Sequence, residues 1–208
     1  MTLDTTPVQL EIILGSVRAS RFGSTVLQWF EERARLESAW NVGVLDLADF
    51  SIPNDFSVNS DVELLTRRIT QADGVIVITP EYNHSFPGPL KSAIDSLPKT
   101  AWEATPVGFI SYGGLSGGLR AVEQLRLVFA EIHAVTIRDT VSIHGTSASF
   151  DADGQPVHAE MVNQAVRQLL GQLGWWARAL RSAREAEPYQ QIIRPEAARS
   201  TAELIASR

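Results

Sequence analysis

The sequence predicts an α/β fold: a doubly wound, five-stranded parallel sheet in the order 2-1-3-4-5, with helices on both faces. Three observations carry this expectation. Short apolar runs alternate with helical patterns along the 208-residue chain, as βα units require. Residues 74–79, GVIVIT, form a nearly continuous β-branched run, which suits a strand buried on both faces of a parallel sheet. Finally, three loops rich in Gly, Pro and small polar residues follow the first, third and fourth strands, and in this strand order they converge on one crevice.

Taken in order, residues 8–14 read as the first strand, whose apolar run stops abruptly at Gly15. Residues 22–36 follow as a helix with Val26, Leu27, Phe30 and Ala34 on one side. A second strand is expected at 42–47 and a second helix at 62–72. After the third strand come a helix at 89–97, a strand at 107–112 and a helix from about 118 to 132. Residues 134–138 read as a short fifth strand. Residues 150–156, FDADGQP, are turn chemistry. The last helix, 158–180, sets Val162, Val166, Leu169, Leu173, Trp176 and Leu180 on one stripe. The expectation is one domain, 1–181, and a mixed polar tail, 182–208, that is partly extended or packs on a neighbouring subunit.

Hydrophobic residues make up 44% and charged residues 20% of the chain, which is the balance of an ordinary globular protein. The formal charge is −6, with arginines spread from Arg18 to Arg208, so neither nucleic acid nor an anionic membrane is an expected partner. Cysteine is absent. That removes disulfides, thiolate nucleophiles and iron–sulfur ligation, so any electron transfer must use a bound organic cofactor. Residues 1–9 show neither a basic nor an apolar leader segment, and no apolar run approaches membrane-spanning length. The expected location is the cytoplasm.

The first loop, GSVRASRFG at 15–23, joins a strand to a helix N-terminus, where free N–H groups and the helix dipole favour an anion. Ser16 and Ser20 add hydroxyl donors, and Arg18 and Arg21 can make charge-assisted bonds. Neither GxxxxGK[ST] nor GxGxxG is present, and a single terminal phosphate fits better than a pyrophosphate. Alternatively, Ser20 merely caps the helix and the arginines are solvated. The third-strand loop, PEYNHSFPGP at 80–89, has two stiffening prolines, Pro87 and Pro89, with Tyr82 and Asn83 at the strand exit. A planar heterocycle needs such a rigid edge, an amide and an aromatic wall; the other reading packs Tyr82 as core. In SYGGLSGG, 111–118, Gly113 and Gly114 would let the backbone approach a flat ring closely, although glycines also serve turns.

Taken together, GSVRxxRFG, PEYNHSFPGPLKSAIDSL and SYGGLSGGLRAVEQLR resemble the NADPH-dependent FMN reductase family of the flavodoxin-like superfamily. The similarity runs from about residue 8 to residue 180 and is most specific over 80–95. The resemblance implies a flavodoxin-like fold with FMN as cofactor and NADPH as co-substrate. It places the FMN phosphate on Ser16, Arg18 and the backbone near Phe22 and Gly23, with Ser20 and Arg21 of the same loop expected to bind the cofactor as well. Pro80, Glu81, Tyr82 and Asn83 would line the isoalloxazine from one side, and Ser111, Tyr112, Gly113 and Gly114 from another. Many relatives carry Ser and Asn where this chain has Arg21 and Gly23, and read LKNAIDW where it reads LKSAIDS.

Other residues attract blander readings. His84, His133, His144 and His158 show no metal-ligand spacing, and His84 reads as an exposed loop residue near the flavin. Asp151 and Asp153 start a turn rather than a calcium loop. Trp175 and Trp176 lie on the last helix, with Trp176 on its core stripe. Lys91 and Asp95 are one turn apart, on a helix that in the family commonly lies at a subunit interface.

The leading functional expectation is an FMN-dependent NAD(P)H oxidoreductase that moves hydride from NADPH to FMN and then reduces a second acceptor in ping-pong order. Free flavin, a quinone, an azo compound or a metal oxyanion would serve as the acceptor. No catalytic side chain is named, because the hydride step demands no protein acid or base. The alternative is a flavodoxin-type FMN electron carrier without direct NAD(P)H turnover, which the modest net charge disfavours; a flavin-binding protein without turnover is a third. A homodimer or homotetramer is expected.

Overall fold

The computed structural model describes residues 6–194. Its sheet has five parallel strands in the order β2-β1-β3-β4-β5: β1 Gln9–Leu14, β2 Asn41–Asp46, β3 Gly74–Pro80, β4 Pro106–Gly113 and β5 Val135–His144. The helices are α1 Gly23–Glu37, α2 Ser60–Gln71, α3 Gly88–Ser96, α4 Leu119–Glu131, α5 Ala159–Ala186 and α6 Tyr189–Ile193. The expected fold class and strand order are those observed.

Because side chains alternate across a strand, each central strand feeds two cores. Leu10, Ile12, Leu14, Ile76, Ile78 and Ile110 pack on one face with Val26, Trp29 and Phe30 of α1 and Leu169 and Leu173 of α5. Ile13, Val75, Val77, Val107 and Phe109 pack on the other with residues of α2, α3 and α4, among them Leu65, Leu90 and Leu125. All seven residues of β3 are buried. This explains its unbroken apolar run: a strand with helices on both sides has no polar face to show.

Two elements run at least six residues past their expected ends. Strand β5 does not end near Arg138 but continues to His144, and its register against β4 shifts between Val107 and Phe109. At the sheet edge only three of its ten residues are buried, so the apolar run that marks a central strand is missing. Helix α5 continues to Ala186 because its last turns are pinned. Arg181 is buried and donates to Asp73 Oδ2 at 2.7 Å and to the carbonyls of Pro7 and Thr6 at 3.3 and 3.0 Å. Asp73, also buried, further accepts from the Gln9 amide at 2.9 Å. This cluster sits at the amino edge of the sheet. The expectations for the tail beyond Arg194 fall outside the described residues.

Candidate functional site

The crevice forms at the carboxyl edge, between β1 and β3. Strand β1 leads into α1 on one face and β3 into α3 on the other, and such a switch point leaves a gap between the departing loops. The Gly15 amide donates to Ile78 O at 2.9 Å, extending the pairing of β1 with β3 past the strand end. The chain then turns out: Ser16 is buried, while residues 17–20 are exposed.

Ser16 and Tyr82 share a hydrogen bond of 3.0 Å between their hydroxyls, and the Arg18 guanidinium lies 5.9 Å from the Tyr82 ring centroid. These contacts tie the first loop to the third-strand loop. Phe22 takes the N-cap position of α1 with no side-chain cap, and the first turn carries no acid. Ser20 therefore does not cap the helix. An N-terminus with neither cap nor carboxylate, beside an exposed Arg18 and Ser20, is suited to an anion.

Two residues of this loop are engaged inside the protein. Arg21 pairs with Asp46 at the end of β2, with both side chains largely buried. The Phe22 ring packs edge-on against Tyr112 at 5.6 Å and Phe150 at 5.3 Å, which leaves its backbone to serve a ligand. Gly23 is glycine for a packing reason: a Cβ there would collide with the Tyr112 hydroxyl and come within 2.9 Å of Leu14 Cδ1. The chain therefore has no room for the Asn of many relatives while Tyr112 stands on β4. Burial, helped by the nearby Tyr82, pushes the Tyr112 phenol well above its ordinary pKa, against the pull of the Ser16 hydroxyl, Arg21 and the Gly23 amide.

In the third-strand loop, Tyr82 and Ser85 exchange backbone hydrogen bonds of 2.9 and 3.0 Å around Asn83 and His84. Both central residues have positive φ, 48° and 69°, the signature of a type I′ turn. Gln124 of α4 buttresses the turn, donating to His84 O at 2.9 Å and accepting from the Ser85 hydroxyl. Tyr82 is half-buried rather than core, and Asn83 and His84 are exposed.

Glu81 does not face the crevice unencumbered. Its carboxylate accepts from the Ser116 hydroxyl at 2.6 Å, the Arg120 amide at 3.3 Å and the Arg120 guanidinium at 2.9 Å. It thus caps α4, whose own N-cap residue, Gly118, has no side chain to do so. Burial pulls this carboxyl's pKa upward, but the Ser116 and Arg120 hydrogen bonds outweigh it and hold it below the ordinary value.

In the fourth-strand loop, the buried Ser111 hydroxyl donates to Gly117 O at 2.8 Å, and Tyr112 belongs to the core; both shape the loop from beneath. A Cβ on Gly113 would meet Gly118 N at 3.1 Å, whereas one on Gly114 would meet nothing within 4 Å. Gly114 is thus the position with open space for a ring. The sequence reading missed the residues that brace this loop from β5: Ser142, His144 and Gly145. Their only signal in the sequence is a histidine and a glycine after a stretch that mixes polar and apolar residues.

Over residues 8–148 the chain matches the family described as NADPH-dependent FMN reductase. It belongs to that family. A quinone reductase of Escherichia coli K12 is 30% identical over 175 residues, covering 80% of this chain and 92% of that protein. An NADPH:quinone oxidoreductase of Arabidopsis thaliana is 30% identical, covering 78% and 88% of the two chains. Among solved structures, the flavoenzyme NAD(P)H:(acceptor) oxidoreductase of Paracoccus denitrificans superposes with a TM-score of 0.68 at 23% identity, covering 81% of this chain and 98% of that one. This FMN reductase family member is an oxidoreductase, with FMN as its cofactor and NAD(P)H as its electron donor.

The residues of the FMN reductase crevice fit that cofactor on structural grounds: an uncapped helix N-terminus for a phosphate, a rigid I′ turn, and an open glycine. A cavity of about 510 Å³ adjoins the first loop, with Val17, Leu47, Phe50, Ile52, Gly88 and Pro89 in its wall. No group of three or more His, Asp or Glu suited to a metal occurs among the described residues. Asp151 instead closes a turn, its Oδ1 accepting from the amides of Asp153 and Gln155 at 3.0 and 2.9 Å. Trp176 packs partly against the core while Trp175 is exposed, and Lys91 and Asp95 form an exposed pair at 2.6 Å. No helix among the described residues is long and apolar enough to cross a membrane.

Proposed function

We propose that this chain is an NAD(P)H oxidoreductase that reduces a second small-molecule acceptor through FMN in ping-pong order. The observation that carries the reading is the meeting of the loops after β1, β3 and β4 at the switch point, beside an uncapped helix N-terminus. Ser16, Arg18, Ser20 and the amides of Phe22 and Gly23 would hold the FMN phosphate. Arg21, occupied by Asp46, would support the loop from below. Pro80, Tyr82 and Asn83 would line one side of the isoalloxazine and the backbone of Gly113 and Gly114 another, with Glu81, Ser111 and Tyr112 fixing those two loops. When bound, FMN supplies the redox chemistry, taking hydride from NADPH and passing electrons to the acceptor.

The loops described hold edges of a crevice and cover it with no apolar lid, so donor and acceptor can use one open face in turn. The apolar wall of Val17, Leu47, Phe50, Ile52 and Pro89 beside the first loop favours a flat, weakly polar acceptor such as a quinone over a metal oxyanion. The place of action is the cytoplasm, where reduced pyridine nucleotide is supplied. Self-association is part of the reading, through the α3 face that carries Lys91 and Asp95, as a homodimer or homotetramer. Light scattering that gives a monomer mass of 22.8 kDa at micromolar concentration refutes that part.

The deciding experiment is anaerobic. NADPH should bleach the flavin absorbance of the FMN-loaded protein, and a quinone should restore it. Double-reciprocal plots at several acceptor concentrations should be parallel. If neither NADPH nor NADH bleaches the flavin, the chain is an electron carrier instead.

A further inference from the structure

The end of β5 grips the fourth-strand loop carbonyl by carbonyl. The Gly145 amide donates to Gly113 O at 3.1 Å and Gly114 O at 3.2 Å. His144 Nδ1 meets Leu115 O at 3.0 Å, and the Ser142 hydroxyl donates to Gly117 O at 2.9 Å. A Cβ on Gly117 would strike both Ser142 and His144, so the grip needs glycine there. Every described peptide bond is trans, and a planar trans peptide sets the next residue's N–H opposite to the carbonyl. The amides of Gly114, Leu115 and Ser116 therefore point away from β5. They do so where Gly114 has open space and Leu115 is fully exposed.

We propose that Ser142 and His144 are positioning residues: they aim this row of backbone donors at the acceptor edge of the flavin, and their grip is complete only when His144 is an imidazolium. The inference rests on the reading that this loop meets the flavin.

Counting protons supplies the second half. Leu115 O brings no proton, so Nδ1 must carry one. Nε2 lies 3.2 Å from Ser142 Oγ, and one proton must lie between them. Ser142 has a single proton. Spent on Gly117 O, it leaves a neutral Nε2 facing an oxygen lone pair; spent on Nε2, it abandons Gly117 O to Ser111 alone. Only a proton on both ring nitrogens satisfies all the bonds at once. The ring meets Leu115 and Gly117 of the loop and Ser142 of its own strand. Among the described residues no charged side chain hydrogen-bonds to it, the turn Thr146–Ser149 after β5 carries no charge, and Glu81 and Arg120 join the loop at Ser116.

Two readouts test this. In the flavin-free protein, NMR amide shifts of Gly114, Leu115 and Ser116 should titrate together with the His144 ring, and should not titrate in His144→Gln, a variant whose melting temperature confirms folding. Riboflavin, which has no phosphate to titrate, should bind about three- to tenfold more tightly at pH 5.5 than at pH 8.5, the worth of about one hydrogen bond. His144→Gln should bind it equally at both. Loop amides indifferent to the His144 titration overturn the grip. Titrating amides with pH-independent riboflavin binding, or pH dependence surviving in His144→Gln, overturn its role toward the ring. No riboflavin or FMN binding at any pH overturns the functional reading instead, while the amide titration still judges the grip.

Discussion

The carboxylate of Glu81 and the guanidinium of Arg120 meet at 2.9 Å across 39 residues of sequence, clasping the loop after β3 to the first turn of α4. The folded-state pKa of Glu81 is lowered, so the clasp adds stability above the unfolded value of 4.5 and loses it as pH falls through the folded one. Thermal melts between pH 7 and pH 3 should therefore show an acid drop that Glu81→Gln reduces, with the variant already less stable at pH 7. An unchanged acid profile in the variant would show that the clasp is not coupled to folding.

Arg18 is exposed, lies over the Tyr82 ring and makes no ion pair among the described residues. If it serves the phosphate, Arg18→Ala should weaken FMN binding by about 1.5–3 kcal/mol, roughly ten- to a hundredfold. Riboflavin binding should hardly change. Titrations that show equal losses for both ligands would assign Arg18 to the fold.

Gly113 and Gly114 separate two roles that the sequence could not. A side chain at Gly113 runs into the backbone of Gly118 at 3.1 Å, so Gly113→Val should disturb the loop itself. Gly114→Val has room in the protein and should keep the wild-type melting temperature while lowering flavin content. Full flavin occupancy in Gly114→Val would remove this loop from the ring's surroundings.

Gly23 and Tyr112 make a coupled pair. Gly23→Ala forces a Cβ against the phenol and should cost about 1–3 kcal/mol of stability, the usual range for overpacking. Tyr112→Phe removes the colliding oxygen, so the double variant should recover much of the loss. Denaturant unfolding of the two single variants and the double measures the coupling directly; strict additivity would mean that the contact is not the reason for the glycine.

The strands β1, β3 and β4 were legible because burial on both faces leaves an apolar run that needs no alignment to see. The far half of β5 was not, since an edge strand from Asp139 onward mixes polar and apolar residues. Within the crevice, the backbone-rich loops and Arg18 announced themselves through composition. The occupations of Arg21 by Asp46 and Glu81 by Ser116 and Arg120 did not, because each partner lies 25 to 39 residues away. Local chemistry is written locally; which of two nearby charges is already spoken for is decided by the sheet that brings distant segments together.

The buried Asp73 bears on synthesis. It opens the way into β3, yet its cationic partners, Arg181 and Arg184, stand more than 100 residues later. A ribosome releasing the chain from its amino end delivers all five strands before either arginine has emerged. Until then Asp73 has no cationic partner, and in the finished fold removing one partner of such a buried pair costs about 3–5 kcal/mol. A product truncated inside α5 therefore leaves an unpartnered carboxylate at the amino edge of the sheet, a flaw that marks it as unfinished.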